Sequence, residues 1–144
     1  MDQINGTKQF TKLNLQEAYN LIHIAEGEEW KTIFYTKIGL YEYFVMPMGL
    51  TNVPASFQAL MNNMLRDYIN KICEVYLNNI LVYSKNPEEY NKHVCLILQK
   101  LKEYSLKVDL EKSKFDKEEV EFLGYIIGKD SIKIDLKKIQ VILK

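Results

Sequence analysis

The chain has 144 residues, 47% of them apolar and 26% charged, and its 19 basic and 19 acidic side chains cancel. This composition supports one domain with a real core and excludes wholesale disorder. Neutrality excludes general attraction to phosphate, so any nucleic-acid contact must rest on local patches and be weak, and no apolar run reaches the ~20 residues of a membrane span.

Residues 10–15, FTKLNL, alternate as a strand does, and 16–19 make a turn or a single helical turn. Extended structure resumes over 21–24 and breaks at Gly27. Two further strands are expected over 30–36 and 41–46, forming a hairpin around Gly39. Residues 46–52 lead into a helix start, where Thr51 or Asn52 can cap and Pro54 fits the first turn because its missing donor would be unpaired anyway. Phe57, Leu60, Met61, Met64, Leu65 and Tyr68 then recur at helical spacing, the core face of a helix over 54–68.

Residues 73–83, CEVYLNNILVY, are two β-branched and aromatic runs joined by two asparagines. Asparagine tolerates the positive φ of a tight turn, so a hairpin with its tip at Asn78 and Asn79 is expected. Asn86 and Pro87 open a second helix over 88–104, with Tyr90, Val94, Ile97, Leu98 and Leu101 on one face and Lys100 and Lys102 suited to its C-terminal dipole. A strand over 106–110, a stronger one over 120–127 ended by Gly128, and a last helix beginning at Asp135 with Leu136, Ile139, Ile142 and Leu143 apolar complete the chain. Cys73 and Cys95 lack metal-ligand spacing and read as reduced core thiols, while His23 and His93 have no partner ligands and read as structural or surface residues. The polar start over 1–8 does not read as a signal peptide, which makes cytoplasm or nucleus the expected compartment.

Strand, helix, strand, strand, helix, strand is the order of a ferredoxin-like split sheet. The expected fold is α+β, an antiparallel sheet with two helices on one face and a hairpin inserted between the first strand and the first helix.

The string YLNNILVYS resembles the polymerase motif of reverse transcriptases, specifically those of gypsy-type long-terminal-repeat retrotransposons, where an Asp-Asp pair at the hairpin tip holds magnesium. FTKLNLQEAYNLIHI is similar to the family segment whose strand ends in the first catalytic Asp, a position occupied here by Asn14, and Tyr19 matches the aromatic that excludes a ribose 2′-hydroxyl. YEYFVMPMGLTNVPASFQALMN is similar to the segment that shapes the nucleotide pocket, with Met48 in place of the usual Phe. Tyr76 and Leu77 would border the same pocket. EVEFLGYIIG looks like the primer-grip hairpin, so Leu123, Gly124 and Tyr125 would face the primer strand. The resemblance implies that residues 1–144 form a single truncated polymerase palm, with a partial fingers insertion at about 20–50 and the start of a thumb at about 135–144.

Asn14, Asn78 and Asn79 all stand where the resemblance puts catalytic aspartate. Magnesium is hard and held by carboxylates, whereas an amide offers only a neutral oxygen of similar outline. Polymerases of this type use two divalent ions, and losing one electrostatic group at such a centre costs about 100-fold in rate. Glu17 and Glu74 are near in sequence, but neither sits at a hairpin tip aimed at Asn14. No cofactor and no bound metal are therefore expected, although the family would use Mg2+.

The expected function is a catalytically inactive reverse-transcriptase-like domain kept as a scaffold or protein-interaction module, with itself or another chain as partner and no membrane contact. Two alternatives stand beside it: a non-catalytic RNA- or DNA-binding module using the primer-template face, and a residual RNA-directed DNA polymerase fragment. Taken without the resemblance, Asn78 and Asn79 are simply a good turn, and Tyr19, Tyr76 and Tyr125 are half-buried sheet aromatics. The lysines over 112–117 and 129–138 are interleaved with acids and read as solvated faces.

Overall fold

A computed structural model describes residues 4–135. The helix expected after Asp135, and with it the start of a thumb, lies outside the described residues.

The first strand, β1 (Gln9–Gln16), buries Phe10, Thr11, Leu13 and Leu15 and is longer than the alternation alone suggests. Glu17 takes a left-handed conformation (φ 47°) that ends the strand and starts a 3-10 turn over Ala18–Leu21. Residues 22–24 then run extended beside 44–46, with Met46 N donating to Ile22 O (2.8 Å) and Ile24 N to Phe44 O (3.0 Å). The expected long hairpin over 30–46 is much shorter. Trp30 lies in a 3-10 turn, Glu29–Thr32, and only β2 (Phe34–Thr36) and β3 (Gly39–Tyr41) pair. Beyond them the Thr32 hydroxyl accepts from Tyr43 N (2.8 Å), so a side chain does what a ladder bond would have done.

Helix α1 (Val53–Met64) has Pro54 in its first turn and buries Val53, Phe57, Met61 and Met64 at the expected spacing. Asn52 stands at the N-cap position, but its side chain makes no capping bond. The helix stops four residues before Tyr68, since the chain must turn back toward the sheet. Asn70 (φ 62°) takes the left-handed residue of that reversal. Strands β4 (Cys73–Tyr76) and β5 (Asn79–Ser84) form the central hairpin, and α2 (Pro87–Glu103) starts with the Asn86 side chain accepting from Glu88 N (3.0 Å).

Two short strands follow, β6 (Lys107–Val108) and the unforeseen β7 (Lys114–Lys117). The single strand expected over 120–127 is two, β8 (Glu119–Phe122) and β9 (Tyr125–Gly128), folded about Leu123 (φ 53°) and Gly124 (φ 81°). Consecutive positive φ angles make a tight hairpin turn, which a leucine in the first position hides from local propensity, although the resemblance of EVEFLGYIIG to the primer-grip hairpin implies it. A further strand, β10 (Ser131–Ile134), pairs with β9.

The main sheet has the order β4-β5-β1-β6, with β7 pairing the other half of β1, and β8 to β10 form a separate three-stranded sheet. Thus β6, not the 120–127 segment, supplies the fourth strand of the antiparallel split sheet. The pleat of β5 separates two cores. Ile80 and Val82 point to the helices and join Leu13, Leu15, Phe57, Met61, Ile97 and Leu101; Leu81 and Tyr83 point the other way and meet Phe10, Val120, Phe122 and Ile127. A strand buried on both faces reads as a continuous apolar run, as ILVY does.

Between β1 and α2, Tyr90 Oη bonds the buried Thr11 hydroxyl and accepts from Asp116 N (2.9 Å), which ties β7 to the sheet. Of the two cysteines, Cys73 is buried, whereas Cys95 is exposed on α2 and is not a core thiol. Burial, reinforced by the charge of Glu74, pushes the Cys73 thiol up to about 12, which makes it inert as a nucleophile. No helix among the described residues is long and apolar enough to cross a membrane.

Candidate functional site

The site lies on the sheet face turned away from the helices. Residues directly opposite in an antiparallel pair share a face. Since Leu13 and Ile80 face the helices, their neighbours Asn14 and Asn79 face outward, opposite each other, and Tyr76 lies across from Asn79 in the same row. The turn between β4 and β5 is set one residue earlier than the two asparagines. Tyr76 pairs with Asn79, so its central residues are Leu77 and Asn78, and Leu77 rather than an asparagine carries the positive φ (51°).

The backbone there is held from three sides. Leu15 N donates to Asn78 O (2.8 Å), which docks the end of β1 onto the turn. Asn14 N donates to Ser113 Oγ (3.0 Å), and Asn14 O accepts from Asp109 N (2.8 Å). Gln58 on α1 completes the frame: its Oε1 accepts from Leu77 N (2.7 Å) while its Nε2 donates to Asn62 Oδ1 (2.8 Å) and Val75 O (3.3 Å). A left-handed non-glycine residue costs on the order of 1 kcal/mol, and it persists where its surroundings fix it. Gln58→Ala is therefore expected to destabilise the domain by about 1–3 kcal/mol, since it strands the Leu77 N–H. Gln58→Glu, which keeps the acceptor, should recover part of that loss. Chemical denaturation of both variants checks this.

The side chains of the three asparagines are joined in a chain of two hydrogen bonds. Asn14 Nδ2 donates to Asn79 Oδ1 (3.1 Å), and Asn79 Nδ2 donates to Asn78 Oδ1 (3.2 Å). This chain of bonds needs donors at the first two positions, which amides have and ionised carboxylates lack. The magnesium that the resemblance implies does not fit such a row. Its ligands would be neutral oxygens, two of them already taken as acceptors, and among the described residues no three His, Cys, Asp or Glu side chains gather closely enough to hold a metal.

The nearby carboxylates are committed elsewhere. Glu17 is exposed beyond the end of β1. Glu74 accepts the Tyr83 hydroxyl (3.2 Å), which, together with burial as the larger cause, raises the Tyr83 pKa. Asp109 Oδ1 accepts from Glu111 N (3.1 Å) and Lys112 N (3.2 Å), and its other oxygen pairs with Lys112 Nζ (3.5 Å). Asp109, Ser113 and Gln58 are the residues that sequence reading missed. Only the Asx-turn pattern around Asp109 carries a local signal.

The structure does not bring the remaining site candidates together in one pocket. Tyr76, Leu123 and Tyr125 come together around a cavity of about 180 Å³ between β4 and the second sheet, walled also by Glu74, Val75, Phe122 and Ile127. Gly124 turns the β8–β9 hairpin beside it, its carbonyl accepting from Asp135 N (3.0 Å). Tyr19 instead packs on Phe57 (ring centroids 4.8 Å apart, planes at 51°), and Met48 is 79% exposed on the loop before α1.

Comparison with known proteins gives consistent results. Residues 1–127 match the family described as reverse transcriptase (RNA-dependent DNA polymerase). The chain is 42% identical over 139 residues to the retrovirus-related Pol polyprotein from transposon opus of Drosophila melanogaster, covering 96% of this chain and 14% of that protein. It is 38% identical over 139 residues to the corresponding polyprotein from transposon gypsy of the same fly, covering 96% and 13%, and 40% identical over 126 residues to the transposon Tf2-7 polyprotein of Schizosaccharomyces pombe, covering 88% and 10%. It thus spans a small part of the curated relatives it matches. Among solved structures, the foamy viral protease-reverse transcriptase in complex with RNA/DNA hybrid superposes with a TM-score of 0.84 at 23% identity, over 95% of this chain and 18% of that one. The native prototype foamy virus protease-reverse transcriptase gives 0.76 at 28% identity, over 94% and 20%.

Proposed function

Since the chain belongs to the reverse transcriptase family, we propose that it is the palm of a retrotransposon polymerase that has lost its chemistry and serves as a scaffold or protein-interaction module. The observation that carries this reading is the amide chain from Asn14 through Asn79 to Asn78. Phosphoryl transfer by a polymerase relies on negative oxygens that seat two divalent ions. A neutral row, two of whose three side-chain oxygens already accept hydrogen bonds, offers those ions no charge. The sheet and helices gain their stability from apolar burial and need no ion, so a palm shape persists without polymerase activity.

Primer extension on an RNA template with Mg2+ or Mn2+ is the direct test. No incorporation is expected. Incorporation that disappears in Asn78→Ala would establish a residual polymerase and overturn the reading.

A second reading, nucleic-acid binding without catalysis, is favoured by one observation: Tyr76, Leu123 and Tyr125 share a cavity wall and are each more than a third exposed. Aromatic side chains so placed can stack on bases, and a solved neighbour of this fold is bound to an RNA/DNA hybrid. Affinity for such a hybrid that falls steeply with salt and is lost in Tyr125→Ala would support this reading. Absence of affinity leaves the scaffold.

A further inference from the structure

The amide row has a chemical preference opposite to that of a metal site. Three side-chain amides carry six N–H bonds and three oxygens. Their two mutual bonds use two N–H and two oxygens. Four N–H then remain against one oxygen, Asn14 Oδ1, and an excess of donors suits an anion.

The next row on the same face supplies positive charge. Alternation along β1 puts Phe10, Lys12 and Asn14 on the side turned away from the helices, where Phe10 joins the second core. Lys12 is half-buried, about 7 Å along the strand from Asn14, within reach of a lysine stem. Directly opposite it on β7 stands Lys114, and the residue before Lys114 is Ser113, whose hydroxyl accepts from Asn14 N (3.0 Å). Like charges directly opposite each other are unfavourable, yet neither lysine has an ion-pair partner among the described residues. The nearby acids do not compensate. Glu74 lies in the same row but two strands away, about 10 Å, and holds the Tyr83 hydroxyl. Asp109 pairs with Lys112, and Asp116 accepts from Gln9 Nε2. Carboxylates at positions 14, 78 and 79 would balance Lys12 and Lys114, whereas amides leave the face positive and rich in donors.

We infer that the asparagine row, with Lys12 and Lys114 beside it, binds a phosphate-type anion without a metal. The inference rests on the reading that the row seats no divalent ions, and it reverses the sign of the ligand.

Calorimetric titration of the whole chain with inorganic pyrophosphate in chelator tests it. Binding is expected there, and excess Mg2+ should weaken it by neutralising the anion. Lys12→Gln and Lys114→Gln should each weaken it about tenfold, as loss of a charge-assisted hydrogen bond does. Asn78→Asp keeps the oxygen to which Asn79 Nδ2 donates, so the melting curve should hold while the added negative charge abolishes binding. Lys92→Gln, at an exposed position on α2, should change nothing. No binding in chelator, binding only with Mg2+, or equal losses from Lys92→Gln and Lys12→Gln would each overturn the inference. An RNA/DNA hybrid that displaces pyrophosphate would assign the anion to a nucleic-acid backbone, and one that does not would assign it to a free polyphosphate. Primer extension reports on catalysis alone, so a chain that neither binds pyrophosphate nor extends a primer loses this inference and keeps the inactive palm.

Discussion

With Asn14, Asn78 and Asn79 all changed to aspartate, the domain is expected to melt about 10 °C lower in chelator at neutral pH. Two hydrogen bonds vanish because the carboxylates cannot donate where Asn14 Nδ2 and Asn79 Nδ2 now do. Each such bond is worth about 1 kcal/mol net. Three negative charges at hydrogen-bond spacing add repulsion of about 1 kcal/mol per close pair, even at the screening of water. The sum is roughly 3–5 kcal/mol.

The sign of the pH dependence follows. Crowded carboxylates hold protons more tightly in the folded than in the unfolded state, so their folded pKa values are raised. The penalty is therefore full above the raised values and disappears as pH falls below the unfolded value near ~4. Mn2+ or Mg2+ should restore much of the lost melting temperature in the triple variant and leave the wild type unmoved, because only the variant offers charged ligands. Differential scanning calorimetry in chelator and in each ion measures all of this. A triple variant that melts at or above the wild type in chelator would mean that the amide chain does not hold β1 to the turn.

The parts of the fold that sequence shows plainly are those in which local pattern and tertiary environment agree. The stripe from Phe57 through Met64 and the cap and proline at Asn86 and Pro87 produce α1 and α2 close to where spacing puts them. The run ILVY produces the central strand β5. Misreadings occur where a left-handed residue is not glycine or asparagine. Leu77 and Leu123 each take a positive φ, which propensity assigns against. The first therefore shifts the expected turn by one residue, and the second makes a hairpin read locally as one strand, so that only the family resemblance of EVEFLGYIIG implies it. Trp30 departs from its pattern: an aromatic in an alternating run suggests a strand, whereas here it stands exposed in a 3-10 turn.

The candidate site was legible by a different route. Similarity to a family brought Asn14, Asn78 and Asn79 together across a sequence gap that no local pattern spans, and the structure places their side chains in bonding contact. That these amides bond one another, and that Gln58 and Ser113 fix the backbone around them, depends on pairings between distant segments. No periodicity carries that information.

The largest loss expected from a single change is at Phe57. Its side chain is fully buried on α1, in the core on the helix side of the sheet, and it carries Tyr19 on its ring. Phe57→Ala removes the transfer energy of a whole aromatic side chain and leaves a cavity, about 3–5 kcal/mol in total. The ring pair with Tyr19 contributes about 0.5–1.5 kcal/mol beyond its buried area. Phe57→Leu should cost less than half as much, since it keeps most of the volume. Urea denaturation is expected to show a lower midpoint with an unchanged slope for both.

Phe57 and the asparagine row lie on opposite faces of the main sheet. Combining Phe57→Leu with the triple aspartate variant should therefore give additive losses, to within about 0.5 kcal/mol. Additivity would locate the stability of the palm in its apolar face, independent of whatever occupies the row where chemistry would take place. A strong coupling between the two would mean that the helices and the amide row hold each other in place.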